Sequence, residues 1–105
     1  MKPAILSSKA REEFLEAVRW IARDHPVSAK ALKNAVHQVT RNLGEYPLSG
    51  RERTDLASSS VRFLPLTGFP YIIVYDAVLI PPVILRFLHG ARDLPELLRD
   101  MPSGH

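Results

Sequence analysis

Three runs, Val61-Arg62-Phe63-Leu64, Tyr71-Ile72-Ile73-Val74-Tyr75 and Val83-Ile84-Leu85-Arg86-Phe87-Leu88, decide how this chain folds. β-Branched and aromatic residues dominate them, which suits a pleated, half-buried surface. Thr67-Gly68-Phe69-Pro70 separates the first run from the second, and Asp76 through the Pro81-Pro82 pair separates the second from the third. Connections this short predict antiparallel neighbours, because a parallel crossover needs about a dozen residues or more. The second and third runs are nearly all apolar, as expected of inner strands that face a core on one side.

Upstream of these runs the period changes to that of helices. Ala10, Phe14, Val18 and Ile21 recur on one helical face, and Leu15 and Ala22 widen it. Ser7 or Ser8 offers a hydroxyl to cap the start, and Glu12 and Glu13 fall in the early turns, where the dipole favours them. The stop is expected near Asp24-His25-Pro26, because the residue before proline is pushed out of helical geometry. Ser28 restarts a helix. Its stripe is Ala29, Leu32, Val36, Val39 and Leu43, and Gly44 is placed to end it. Two amphipathic helices with a short join predict an antiparallel hairpin that needs something to cover its stripes.

Pro3 to Leu6 reads as a short first strand, and Pro47 to Ser60 as a polar loop. Leu94 to Asp100 reads as a short last helix with Pro95 in its first turn, and Met101 to His105 as a frayed end. The order is β-α-α-β-β-β with a short C-terminal helix. The predicted fold is α+β, an N-terminal strand and antiparallel helical hairpin packed on a small antiparallel sheet, in a single domain over residues 1–105.

Composition excludes several classes. At 105 residues, with 46% hydrophobic and 24% charged residues, the chain has the usage of one ordinary globular domain. There is no cysteine, so disulfides, thiolate zinc sites and cysteine nucleophiles are ruled out. His25, His37, His89 and His105 are dispersed, with no two at metal-ligand spacing. No Gly-rich phosphate loop occurs, and Ser58, Ser59 and Ser60 lack the glycine-flanked turn of a serine nucleophile. No cofactor and no metal are expected. No apolar run approaches the roughly 20 residues that span a bilayer, and the N-terminus lacks a signal peptide's apolar stretch. The net charge of +3 permits binding to nucleic acid or to an acidic partner without predicting either.

Three stretches together resemble one known family. They are Tyr46-Pro47-Leu48-Ser49-Gly50-Arg51, then Val61-Arg62 with Tyr71-Ile72-Ile73-Val74-Tyr75, and then Ile84-Leu85-Arg86-Phe87-Leu88-His89-Gly90-Ala91-Arg92-Asp93-Leu94-Pro95. From about Leu6 to Leu98 the chain resembles the RelE/ParE toxins of type II toxin–antitoxin, or plasmid stabilisation, systems. The last stretch looks like the strand-end signature of the ParE branch. That resemblance implies a cytoplasmic toxin that inhibits DNA gyrase by protein–protein contact. It also implies a ParD-like antitoxin whose C-terminal segment wraps the toxin in a hetero-oligomer. The RelE branch implies instead a ribosome-dependent messenger RNA endoribonuclease. A third reading is a family member that has lost toxicity and only binds its antitoxin.

Cleavage through a 2′-hydroxyl needs a base, an acid and cations around the phosphate. Arg51, Arg53, Arg62 and Arg86 supply cations, and Arg62 and Arg86 are placed on neighbouring strands where they could face one surface. A nuclease would rest on Arg62, Arg86 and His89. His89 is the one candidate proton shuttle, and its plainer role is a strand-end hydrogen bond beside Gly90. No tyrosine follows Tyr75. Arg51, Arg53, Arg92, Asp93 and Leu97 are the target-contact candidates. Arg51 and Arg53 read equally well as solvated charges, and Arg92 with Asp93 as a local pair. Phe14, Val18, Trp20, Ile21, Val36 and Val39 are the antitoxin-binding candidates, with plain core as the alternative for all but Trp20. Trp20 either packs on the sheet or anchors a partner, and Tyr46 is expected to close the hairpin onto the loop. An open part of the apolar groove would take an amphipathic helix.

Overall fold

The computed structural model describes residues 2–90 and 94–99. Strand β1 (Ile5–Leu6) leads into helices α1 (Ser8–Ala22) and α2 (Pro26–Glu45). Strands β2 (Arg51–Glu52), β3 (Val61–Pro65), β4 (Tyr71–Asp76) and β5 (Val83–His89) follow, and then the short helix α3 (Leu94–Leu97). The five strands form one sheet in the order β1-β5-β4-β3-β2. β2 to β5 run as an antiparallel meander, and β1 alone is parallel, paired to β5 through Ile5↔Val83 and Leu6↔Ile84. This is the expected α+β architecture, with one strand more than predicted.

The helix boundaries follow from caps. The Ser7 side chain accepts a hydrogen bond from the Ala10 amide at 3.1 Å, which satisfies an orphan donor of α1. α2 begins at Pro26 and not at Ser28, because proline at the first helical position loses no hydrogen bond and brings a ready-made φ. Gly44 does not end α2, which runs on to Glu45. Its role is close approach: a Cβ there would collide with the Lys2 carbonyl and lie 3.0 Å from the Cα of Pro3. The chain leading into β1 thus lies directly on the helix, where the Ala4 amide donates to the Thr40 carbonyl at 2.8 Å.

Both faces of the sheet are buried, which corrects the expectation of a core on one side. The helical hairpin covers one face. There Leu32, Leu43, Ile73, Tyr75 and Ile84 have almost no exposure, with Phe14, Val18, Ile21 and Val39 packed at the margin. Leu15 and Ala22 face outward and do not widen that stripe. The other face is closed by the segment after β2 and by the C-terminal helix, through Ala57, Val61, Phe63, Val74, Leu88 and Leu98. Full burial of such a side chain contributes about 1.5–3 kcal/mol. Burial on two sides also explains why Ile72, Ile73 and Val74 are consecutive and apolar rather than alternating with polar residues.

Two irregularities place the side chains that matter below. Pairing of β4 with β5 jumps from Val74↔Arg86 to Tyr75↔Ile84, so Leu85 is left opposite no residue. This bulge turns the strand locally and re-aims Arg86. The segment Pro47 to Ser60 is not wholly a loop, because Tyr75 organises it. The Tyr75 hydroxyl donates to the Pro47 carbonyl at 2.7 Å and accepts from the Gly50 amide at 2.9 Å. A Cβ on Gly50 would sit 2.8 Å from the Tyr75 ring. Anchored there, Arg51 and Glu52 pair with Phe63 and Arg62 as β2.

Gly44→Ala is expected to destabilise the fold by about 1–3 kcal/mol, since the backbone of Lys2 and Pro3 occupies the space that a Cβ would take. Urea unfolding measures it. An unchanged midpoint would contradict the close approach.

Candidate partner-binding grooves

Arg86 and Glu13 form the most heavily buried ion pair among the described residues, with side chains 14% and 16% exposed. The contact is bidentate: Arg86 Nε donates to Glu13 Oε1 at 3.0 Å and Nη2 donates to Oε2 at 2.8 Å. Glu13 Oε1 also accepts the Phe87 amide at 3.0 Å, and Arg86 Nη1 donates to the Leu97 carbonyl at 2.6 Å. One carboxylate and one guanidinium therefore join α1, β5 and the end of α3. Glu13 lies beyond the first turn of α1 and works across the fold, not on the helix dipole.

Arg62 is also committed to the fold. Its Nη1 donates to the carbonyls of Gly50 at 2.7 Å and Leu48 at 3.2 Å, and its Nη2 pairs with Glu52 at 3.3 Å. The expectation that Arg62 and Arg86 sit on neighbouring strands is not met, because β4 lies between them. Arg62 is opposite Tyr75 and Arg86 opposite Val74, and residues adjacent along a strand point to opposite faces. The two cations therefore do not converge. His89 ends β5, exposed, with its ring edge-on to Tyr71 at 5.6 Å between centroids. Burial pushes the Tyr71 phenol above its ordinary range.

Two grooves flank the hairpin. The larger, about 1020 Å³, runs between α1 and the end of β5. Its floor is Ala17, Ile21, Tyr71 and Phe87, and its rim carries Lys9, Arg19 and Arg23 along with Glu16. Tyr71 stacks on Phe87 at 4.8 Å, so the floor is a continuous aromatic surface. Trp20 stands on the same rim, 68% exposed, with the Arg23 guanidinium 5.4 Å from its ring centroid. The smaller groove, about 600 Å³, lies between α2 and β3 over Ala35, Val39, Leu64 and Leu66. Tyr46 stands exposed on its edge and does not close the hairpin onto the loop.

Residues 4–94 match the family profile described as the ParE toxin of type II toxin-antitoxin system, parDE. The chain belongs to the ParE toxin family. A solved structure described as the chromosomal ParDE TA system from P. aeruginosa aligns with a TM-score of 0.68 at 23% identity. It covers 85% of this chain and 96% of that one, and the likeness shows a shared fold. Comparison with curated proteins finds no match.

Within this ParE fold the candidate residues separate. Trp20, Ile21 and Val39 line or border the grooves. Phe14 packs edge-on to Phe87 at 5.5 Å, Val18 packs against the core margin, and Val36 is buried within it. Arg51 is exposed on the edge strand β2. Arg53 pairs with Asp55 in the open, and that hydrogen bond lowers the Asp55 carboxyl below its usual range. Such a solvated pair contributes little. Leu97 lies at the end of α3 over Arg86, whereas Arg92 and Asp93 lie outside the described residues. Sequence reading missed Tyr71 as a groove residue. It also missed the cationic rim, although Glu16, Arg19, Trp20 and Arg23 recur at three- and four-residue spacing.

Glu13→Ala and Arg86→Ala are each expected to destabilise the protein by about 3–5 kcal/mol, because each strands its buried partner. The double variant should cost clearly less than the two combined. Urea unfolding of the four proteins tests this, and additive losses would refute the clamp.

Proposed function

We propose that this ParE-family chain arrests growth by binding DNA gyrase in the cytoplasm, without catalysis, and that a ParD-like antitoxin holds it silent. The observation that carries this reading is the use made of the arginines. Phosphoryl cleavage needs cations converging on one phosphate and a proton-transfer pair beside them. Arg62 is held by the Leu48 and Gly50 carbonyls and Glu52, and Arg86 by Glu13 and Leu97, on opposite sheet faces. The surface instead offers grooves and an exposed tryptophan, the means of a protein that binds.

The α1–β5 groove suits an amphipathic segment of the antitoxin. Apolar side chains would lie on Ile21, Tyr71 and Phe87, and acidic ones would meet Lys9, Arg19 and Arg23. Trp20 is the natural anchor on that rim.

Purified toxin is expected to lower gyrase supercoiling and to accumulate cleaved DNA, and added antitoxin should restore activity. Unchanged supercoiling with no cleaved DNA at saturating toxin would sink the gyrase reading. Codon-positioned cuts in translated messages, lost in a folded His89→Ala protein, would put a ribonuclease in its place. Normal growth without antitoxin would leave a module that only binds. Separately, Trp20→Ala should weaken antitoxin binding at least tenfold by calorimetry, and unchanged affinity would remove Trp20 from that interface.

A further inference from the structure

One flank of α2 carries a row of cations. No acidic residue occurs between Asp24 and Glu45, whereas Lys30, Lys33 and Arg41 all fall in that stretch. These three alone equal the +3 net charge of the whole chain. With His37 they recur at intervals of three, four and four residues, and all four are exposed. At 3.6 residues per turn they lie within an arc of about 80°. The buried stripe of the helix, Ala29, Leu32, Val36, Thr40 and Leu43, faces the core, and Ala35, Gln38, Val39 and Asn42 border the α2–β3 groove. The row therefore runs along the flank away from that groove.

The ion pairs among the described residues lie elsewhere, at Arg53–Asp55, Arg62–Glu52, Arg86–Glu13 and Arg99–Glu96. Unlike Arg62 and Arg86, the cations of this row do not close the fold. Lys2 extends the row, since its backbone lies against Gly44, about one turn past Arg41. Lys30 to Arg41 covers roughly 16 Å at about 1.5 Å per residue. A nucleic-acid duplex carries one negative charge per about 1.7 Å of its axis, hence roughly ten phosphates over that length. Cations gathered along one helix face are the footprint of a partner of that charge density.

We propose that this flank of α2 binds the phosphate backbone of duplex DNA, without regard to base sequence. The inference does not rest on the gyrase reading. Charge and shape select the occupant. Lysine is depleted where proteins meet proteins, yet it supplies two of the three cations between Asp24 and Glu45. A helix that lies on a membrane sets Trp, Phe or Leu opposite its cationic face. Here the exposed crest beyond Val27 carries Ala31, Asn34, Gln38 and Asn42, with Gln38 Nε2 donating to Asn42 Oδ1 at 3.1 Å. α2 is 20 residues long and exposed along this outer side. The major groove of B-form DNA, about 12 Å wide, admits such a helix, whereas that of A-form RNA is too deep and narrow.

The test uses the purified full chain and a fluorescein-labelled duplex DNA of arbitrary sequence, with anisotropy read across a salt series. Log affinity is expected to fall with log salt at a slope of about −3, since each phosphate contacted contributes about −0.9. Lys30→Gln, Lys33→Gln and Arg41→Gln should each reduce that slope by about one. The triple variant should bind at least tenfold more weakly at low salt, with thermal unfolding unchanged because the positions are exposed. Lys9→Gln/Arg23→Gln, which discharges the rim of the other groove, should stay within twofold of wild type. The proposal is refuted by a wild-type chain that does not bind the duplex, or by a folded triple variant that binds it as wild type does. It is refuted equally if the rim variant loses as much as the triple variant, because net charge would then account for binding. Tighter binding of an RNA duplex, of vesicles containing phosphatidylserine or of polyglutamate would each assign the row to a different partner and overturn the DNA reading. Anisotropy does not involve gyrase, so failure of the gyrase reading leaves this outcome separate.

Discussion

The Glu13 carboxylate is the point on which the rest of the structure leans. β1 is two residues long, so β5 loses its outer neighbour after Ile84. The Phe87 amide would then be an orphan at the sheet edge, and Glu13 accepts it. A carboxylate drawn this far out of water needs a counter-charge, and Arg86 supplies one with both prongs of its guanidinium. The remaining nitrogen, Nη1, reaches the Leu97 carbonyl and ties down the C-terminal helix. Helix, sheet edge and tail are thereby held by charge-assisted contacts whose loss would leave a buried charge behind.

That arrangement bears on function through what it takes away. An arginine that closes a fold is not available to a phosphate, and the same holds for Arg62 over the Gly50 turn. Leu88 and Leu98 help close the second sheet face. The reactive-looking residues that do reach solvent, Tyr71 and His89, border a cationic groove, and burial raises the Tyr71 phenol above its ordinary value. A groove with a cationic rim lies at one end of the central strands and an exposed apolar turn at the other.

Much of the fold was legible because the signals were periodic. The Leu32, Val36 and Leu43 stripe lies in the core as its spacing requires, and the central runs became neighbouring antiparallel strands. What escaped was decided by contacts distant in sequence. Gly44 looks like a helix stop until the Lys2 backbone is seen lying against it. Arg51 and Glu52 read as loop because a two-residue strand has no period, and the Tyr75 hydroxyl and Arg62, both distant in sequence, hold that segment at the sheet edge. The candidate site was less legible than the fold. Trp20 and Ile21 were visible as stripe-edge residues, but the pairing of Tyr71 with His89 exists only through strand register.

By itself, the sequence determined the type and order of every element but β2, since helix and strand periods and proline breaks act over a few residues. It also carried enough local signature around His89 to point to the family. Only the tertiary structure decided that Arg86 turns to Glu13, because a bulge at Leu85 changes which way a side chain leaves the strand. It alone decided that Val78, Leu79 and Ile80 lie exposed, since burial is set by what packs nearby.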